Sequence, residues 1–284
     1  MTKKKENKKV EWTTSITKIR PNKIYVRGYK IEDLMENLNF GEAVYLILQG
    51  KLPKNKNYGK MMNVFLISII DYGIGAPSVC AARYVASSLL PHSESEGVPL
   101  AFDAAVAAGL SAFAIYHGGA PGGAAKWLQE GVKIMRNDGK SAEEVAEEIA
   151  NRHKAKKERI QGYGHPHHDI ADPRSVKLRE LAKRYEVFGD HWELNEAMEK
   201  IIPKVYGRKF IMNAGAALGA TLSDLGFNWK YGYGLFAIAR IAGLVAHTYE
   251  EMTTCKPFRV PSSKDIEYVG HETRKFPKDY NDLS

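Results

Sequence analysis

Cysteine is nearly absent. Cys80 and Cys255 are the only two among 284 residues, too few for a disulfide framework and in no metal-ligand spacing, which points to a reducing, cytoplasmic compartment. Long apolar runs are missing as well. A spanning helix needs about 18 consecutive apolar residues, and the strongest candidates, Asn63 to Ile70 and Leu100 to Ile115, are too short or interrupted, so no membrane partner is expected. The lysine-rich start, Met1 to Lys9, leads into no apolar stretch and is not read as a secretory signal. Zinc-finger spacings and aromatic-basic RNA-binding signatures are also lacking, so the net charge of +8 does not by itself call for nucleic acid. Half of that charge is local: Lys3, Lys4, Lys5, Lys8 and Lys9 against Glu6 leave +4 in the first ten residues, read as a flexible basic tail over 1–11. No internal repeat is visible, and the tail is the one low-complexity stretch.

What is present is ordinary globular material: 44% hydrophobic and 26% charged residues, enough chain for one large domain or two modest ones. Helical periodicity dominates. After an extended piece at Ile16 to Tyr29, helices are expected from Ile31, over Gly41–Gln49 and Asn63–Tyr72, and over two small-residue stretches, Ala81–Leu90 and Phe102–Tyr116. Further helices are expected at Glu143–Lys157, Arg174–Tyr185, Leu194–Ile202 and Tyr233–Glu251. The small-residue pair would allow close helix approach, inside the core or against a second copy.

Two glycine-rich segments carry histidines, and glycine is where a backbone can approach a ligand or turn sharply. In Tyr116-His117-Gly118-Gly119-Ala120, His117 sits where a new helix begins; its imidazole could donate to a carbonyl or enolate oxygen, or simply pack in a tight turn. The second segment, Gln161-Gly162-Tyr163-Gly164-His165-Pro166-His167-His168-Asp169, is followed by Asp172-Pro173-Arg174. Backbone N–H groups around its glycines would cradle a phosphate or an adenine edge, and Arg174 could fork onto a carboxylate. A polar surface loop is the plainer reading. A metal held by His165, His167, His168 and Asp169 is disfavoured, because neighbours in one loop do not easily close a tetrahedron.

Taken in order, these segments resemble the citrate synthase superfamily. The resemblance rests on Arg27-Gly28-Tyr29, Phe40-Gly41-Glu42, Tyr45-Leu46, Gly50-Lys51-Leu52-Pro53, His117-Gly118-Gly119-Ala120, Gly162-Tyr163-Gly164-His165, Asp172-Pro173-Arg174, and the helix from Ala239-Arg240 through His247 to Glu250-Glu251. It runs from about Trp12 to Arg259. The chain is shorter than full-length synthases and in this is similar to stand-alone citryl-CoA lyases and to the lyase module of ATP-citrate lyase. The resemblance implies an all-α fold, a large helical domain over 12–118 and 217–284 with a small helical domain, 119–216, inserted, and a homodimer. It implies Claisen chemistry on a coenzyme A thioester, which is substrate and not cofactor; no other cofactor and no metal is expected. His117 would stabilise the thioester enolate and His165 would polarise the keto or hydroxyl oxygen. Arg174 and Arg240 would hold carboxylates of a keto acid or citrate-like acid, and Gln161, Gly162, Tyr163 and Gly164 would lie along coenzyme A.

Two positions depart from the family pattern. The family's catalytic aspartate would fall at Gly215 in Asn213-Ala214-Gly215, and a substrate-binding histidine would fall at Tyr72 in Asp71-Tyr72-Gly73. Tyr72 can still donate a hydrogen bond to the acid, but not as a cation. A basic residue often found four places after the second histidine is Asp169 here. The expected activity is retro-Claisen cleavage of citryl-CoA or a related 3-hydroxyacyl-CoA acid. Alternatives are a citrate or methylcitrate synthase-like condensing enzyme and a thioester-binding subunit with little activity. Gly215→Asp is expected to raise turnover unless a positive φ demands glycine there.

Overall fold

The computed structural model describes residues 12–88, 98–165, 170–277 and 280. The basic tail, the expected helix end at Leu89 and Leu90, and His167, His168 and Asp169 lie outside them. The extended piece is a small antiparallel sheet of β1 (Thr17–Arg20), β2 (Lys23–Val26) and β3 (Tyr29–Lys30), with Thr17 facing Val26 and Tyr25 facing Lys30. Arg27 anchors it: its guanidinium donates to the Ile47 carbonyl at 2.9 and 2.7 Å and to Ser15.

Everything else regular among the described residues is helical: α1 (Ile31–Asn37), α2 (Phe40–Gln49), α3 (Lys56–Ser68), α4 (Pro77–Ser88), α5 (Val98–Ser111), α6 (Ala120–Asp138), α7 (Ala142–Ala155), α8 (Pro173–Arg184), α9 (Asp190–Tyr206), α10 (Ala214–Asp224) and α11 (Tyr231–Thr254), then a short 3₁₀ turn, Ser263–Asp265. Local chemistry sets many boundaries. Asn39 with Glu42, and Ser141 with Glu144, form reciprocal capping boxes that start α2 and α7. Gly50, Gly139 and Gly207 stop α2, α6 and α9 in the left-handed conformation.

Several expected boundaries shift. The helix read as Asn63–Tyr72 begins at Lys56, because Asn55 caps it through Tyr58 N–H, and ends at Ser68, so Asp71 and Tyr72 stand in the following turn. The stretch read as Phe102–Tyr116 ends at Ser111, which frees 114–118 to form a tight turn. The helix expected to begin after His117 is α6, and α10 occupies a stretch not expected to be helical.

Those two helices make the centre of the molecule. Every residue of α10 from Ala214 to Ser223 is buried, and α10 lies so close to α6 that a Cβ at Gly219 would come within 2.8 Å of Ala124 Cβ. The main core gathers α2, α3 and α6–α11. A satellite of Ala76, Val79, Ala82, Val106 and Leu244 joins α4 and α5 to α11, so the small-residue pair packs within the chain. Buried Arg83 on α4 is paired with buried Glu251 of α11 at 2.6 Å. Beyond α11, residues 256–277 are exposed throughout.

Candidate active site

Element ends converge on one cleft of about 410 Å³. It is lined by the 69–77 turn, the 116–118 turn, His165, Arg174 at the start of α8, residues 213–215 at the start of α10, and Phe236 and Arg240 of α11. The geometry of His117 follows from its turn. Ala114 and His117 exchange backbone hydrogen bonds at 2.8 and 3.1 Å, and Gly118 follows at φ +85, where a Cβ would meet the Phe236 ring at 2.9 Å. The His117 ring packs against Phe113 and Phe236. Its Nε2 lies 3.3 Å from Ser78 N and 2.8 Å from Ser78 Oγ. A backbone N–H can only donate, so Nε2 is the acceptor and the proton of the neutral ring resides on Nδ1. Burial, and then the charge of Arg240, push the imidazole pKa below its ordinary value. At neutral pH His117 is therefore an uncharged Nδ1–H donor.

Arg240 is 2% exposed. Its Nε donates to the Ile69 carbonyl at 3.0 Å and its guanidinium lies 5.0 Å from the Phe236 ring centre, while Nη1 is buried without a partner. An unmet guanidinium N–H in the wall of a cleft is a ready anion donor. Tyr72 Oη stands 3.1 Å from His165 Nε2, and the Arg174 guanidinium lies over the Tyr72 ring at 4.7 Å.

Arg174 also lines the cleft. Its fork is closed on Asp172, with Nε to Oδ1 at 3.0 Å and Nη2 to Oδ2 at 2.8 Å. Asp172 is fully buried and also accepts from the N–H groups of Arg174 and Ala214. Burial raises this carboxyl's pKa, but the hydrogen bonds and charge of Arg174 and the Ala214 N–H outweigh it and hold the group below its usual range. Asp172 thus caps α8 and ties it to the start of α10, and holds Arg174 beneath Tyr72 in the cleft wall.

The glycine segment is tied into the fold by its own hydrogen bonds. The N–H of Tyr163 donates to Ile160 O and that of Gly164 to Ile211 O, while Gly162 and Gly164 carbonyls accept from Asn213. Tyr163 Oη donates to Asn195, and Gln161 O accepts from Trp127 Nε1. The bonds to Ile211 and Asn213 staple the loop to the strand-like 211–213 segment. Gly162 is required by contact, since a Cβ there would meet Ala216 at 2.5 Å. On the outer side of the loop, Tyr163, Gly164 and His165 share a second cavity of about 660 Å³ with Lys154, Lys157, Arg159 and Arg208. That cationic set escaped the sequence reading because its members come from two segments 50 residues apart, and Lys154-to-Arg159 looks like an ordinary solvated helix end.

Gly215 has no left-handed φ, but a Cβ there would sit 2.6 Å from Ala120 Cβ and 2.9 Å from Asn213 Oδ1. Asn213 Oδ1 caps α10 by accepting from Gly215 N–H at 2.8 Å. Among the described residues lining the cleft there is neither aspartate nor glutamate. Among the described residues as a whole, no group of three or more histidine, cysteine, aspartate or glutamate side chains is placed to hold a metal, and no helix is long and apolar enough to cross a membrane.

A helical fold whose cleft joins a histidine turn, a second histidine loop and a buried arginine on the last long helix matches one family model, the C-terminal domain of citrate synthase, over residues 8–60 and 54–260. The chain belongs to the citrate synthase family. Among solved structures it is similar to citryl-CoA lyase from Hydrogenobacter thermophilus, at 38% identity and a TM-score of 0.84, over 96% of this chain and 100% of that one. ATP citrate lyase from Methanothrix soehngenii, at 19% identity and a TM-score of 0.76, shares the fold over 94% of this chain and 43% of its own. A citrate synthase from Deinococcus radiodurans is 36% identical over 118 residues, 40% of this chain and 30% of that protein. A 2-methylcitrate synthase from Shewanella oneidensis is 25% identical over 252 residues, 87% of this chain and 60% of that protein. The matched region is less than two thirds of either curated relative.

Proposed function

We propose that the protein cleaves citryl-CoA, or a closely related 3-hydroxyacyl-CoA acid, to acetyl-CoA and a keto acid. The observation carrying the proposal is that His117, fixed as a neutral Nδ1–H donor, lines the same cleft as Arg240, whose buried Nη1 has no partner. Carbon–carbon cleavage next to a thioester leaves its bonding pair as an enolate, whose oxygen needs a donor aimed at it; such a donor is worth about 10²–10³ in rate. The acid half of the substrate needs a desolvated cation, which Arg240 supplies. His165, hydrogen-bonded to Tyr72 Oη through Nε2, lines the same cleft and would take the 3-hydroxyl proton. The cationic cavity of Lys154, Lys157, Arg159 and Arg208 suits the phosphates of coenzyme A, and Tyr163 and Gly164, from the segment expected to lie along coenzyme A, line the same cavity. Likeness across the whole length of a citryl-CoA lyase supports the cleavage reading. The same residues serve condensation equally, and the synthase relatives favour that second reading. Incubation with a panel of CoA thioesters alone, and of acetyl- and propionyl-CoA with keto acids, followed by mass spectrometry, tests both. Cleavage of one 3-hydroxyacyl-CoA acid is the expected result. A panel with no turnover in either direction would leave a thioester-binding protein and overturn the proposal.

A further inference from the structure

Cleavage at a carbon centre needs two proton events: one proton leaves the 3-hydroxyl and one arrives at the enolate carbon. The cleft walls offer few groups for the second. No carboxylate lines the cleft among the described residues. His117 Nε2 is taken by Ser78, and its Nδ1–H is assigned to the enolate oxygen. Asp172 is buried and clamped by Arg174 and Ala214 N–H. Asp71 is absent from the cleft wall and is engaged by Gly73 N–H and His247. Among the described residues lining the cleft two phenols remain, Tyr72 and Tyr116. Tyr116 is 91% exposed at the rim, whereas Tyr72 is 41% exposed, has its ring over Arg174 and holds its Oη 3.1 Å from His165 Nε2.

Resting on the cleavage reading above, we infer that Tyr72 and His165 form a proton relay in which the Tyr72 phenol is the acid that protonates the enolate carbon. The step balances. The 3-hydroxyl displaces the Tyr72 O–H from the single lone pair of His165 Nε2, which turns that O–H toward C2, and gives its own proton to Nε2, and the O–H pair becomes the second C–O bond of the keto product. The C2–C3 pair stays on C2 as the enolate, and Tyr72 Oη–H delivers its proton to C2. The phenolate then recovers a proton from His165 Nε2 along the Tyr72–His165 hydrogen bond, so both groups return to their starting states without any co-reactant. The hydroxyl oxygen and C2 are two bonds apart, and the relay presents to them two atoms already in hydrogen-bond contact. A neutral phenol begins with the proton that cleavage requires, and protonating an enolate is downhill for any oxygen acid of ordinary strength. Arg174, stacked on the ring and locked by Asp172, fixes the direction in which Oη points.

The test uses the full chain and compares wild type, Tyr72→Phe and Tyr116→Phe. The readouts are kcat and KM for citryl-CoA cleavage, exchange of acetyl-CoA methyl protons into D₂O, thermal stability, and Kd for coenzyme A. The relay predicts that Tyr72→Phe lowers both kcat and exchange by about a hundredfold or more, with stability and coenzyme A affinity unchanged, and that Tyr116→Phe changes neither rate. Tyr72→Phe within threefold of wild type in both rates overturns it. A loss confined to KM with kcat retained also overturns it, since Tyr72 would then only bind the acid. Loss in Tyr116→Phe instead would move the role to the rim. If wild type exchanges methyl protons in a Tyr72-dependent way but does not cleave citryl-CoA, the relay stands and the substrate reading falls; if it does neither, both fall.

Discussion

Gly215→Ala adds one Cβ at the start of α10, and the structure sets its cost. The new atom would lie 2.6 Å from Ala120 Cβ, which belongs to the first residue of α6 and has no torsion by which to retreat, and 2.9 Å from the capping oxygen of Asn213. Overpacking of this kind costs about 1–3 kcal/mol. Replacing glycine by alanine in a compatible backbone returns about 0.4–1 kcal/mol through the unfolded chain, so overpacking wins by about 1–2 kcal/mol. For a chain of this size that corresponds to a fall in Tm of roughly 2–8 °C. Gly215→Asp meets the same wall. Its carboxylate would regain about 0.3–1 kcal/mol at a helix N-terminus, too little to offset the clash, so it is expected to lose stability and gain no turnover. The obstacle is Ala120, not the positive φ considered from sequence. Adding Ala120→Gly supplies the check: the double variant should recover most of the loss beyond the cost of Ala120→Gly alone, a coupling of about 1 kcal/mol or more between touching sites. Thermal unfolding of the four proteins measures it. A Gly215→Ala protein as stable as wild type, or a cycle with no coupling, would refute the close approach of α10 and α6.

The remaining expectations are separable. His117→Ala should lower kcat by about 10²–10³, whereas Arg240→Ala should mainly raise KM for the acid-bearing thioester, by about tenfold or more for a lost charged hydrogen bond; equal small effects in both would vacate both assignments. Arg159→Ala and Arg208→Ala should weaken coenzyme A binding and flatten its salt dependence, and calorimetry showing wild-type affinity would remove the phosphates from that cavity. Because the folded pKa of Asp172 is depressed, its stabilisation is present above about pH 4, where the unfolded carboxyl titrates, and is lost as pH falls through the lower folded value; Asp172→Asn should flatten that acid limb of stability. The exposed 256–277 segment carries Phe258, Val260, Ile266, Tyr268 and Phe276 in the open, and a homodimer is expected to cover them; a monomer by light scattering at micromolar concentration would count against this.

Amphipathic helices were legible from sequence because a half-buried helix writes its period into the chain. The α7 stretch, with buried Val145, Ala146, Ile149 and Ala150 between acidic residues, is such a case. The α10 helix was not legible for the converse reason: buried on every side from Ala214 to Ser223, it has no polar face and hence no period. The α6 helix was legible only as a helix beginning after His117: it opens Ala120-Pro121-Gly122-Gly123, where a Cβ at Gly122 would meet the Tyr233 ring at 2.6 Å, and one at Gly131 would meet Leu194 at 2.5 Å. Its glycines are there for helix contact, not for turning. At the site, His117, His165, Tyr72 and Arg240 were named from motif order and do share one cleft. The Arg174–Asp172 closure was not legible, because a Asp-Pro-Arg triplet does not say whether its fork faces inward or out.

The most direct test of the central claim is a single-turnover reaction of citryl-CoA with excess wild-type protein, quenched and analysed by mass spectrometry for all four possible products. The account predicts acetyl-CoA and oxaloacetate in equal amounts, appearing at a rate that His117→Ala suppresses. Release of free coenzyme A and citrate, or recovery of intact citryl-CoA, would contradict it.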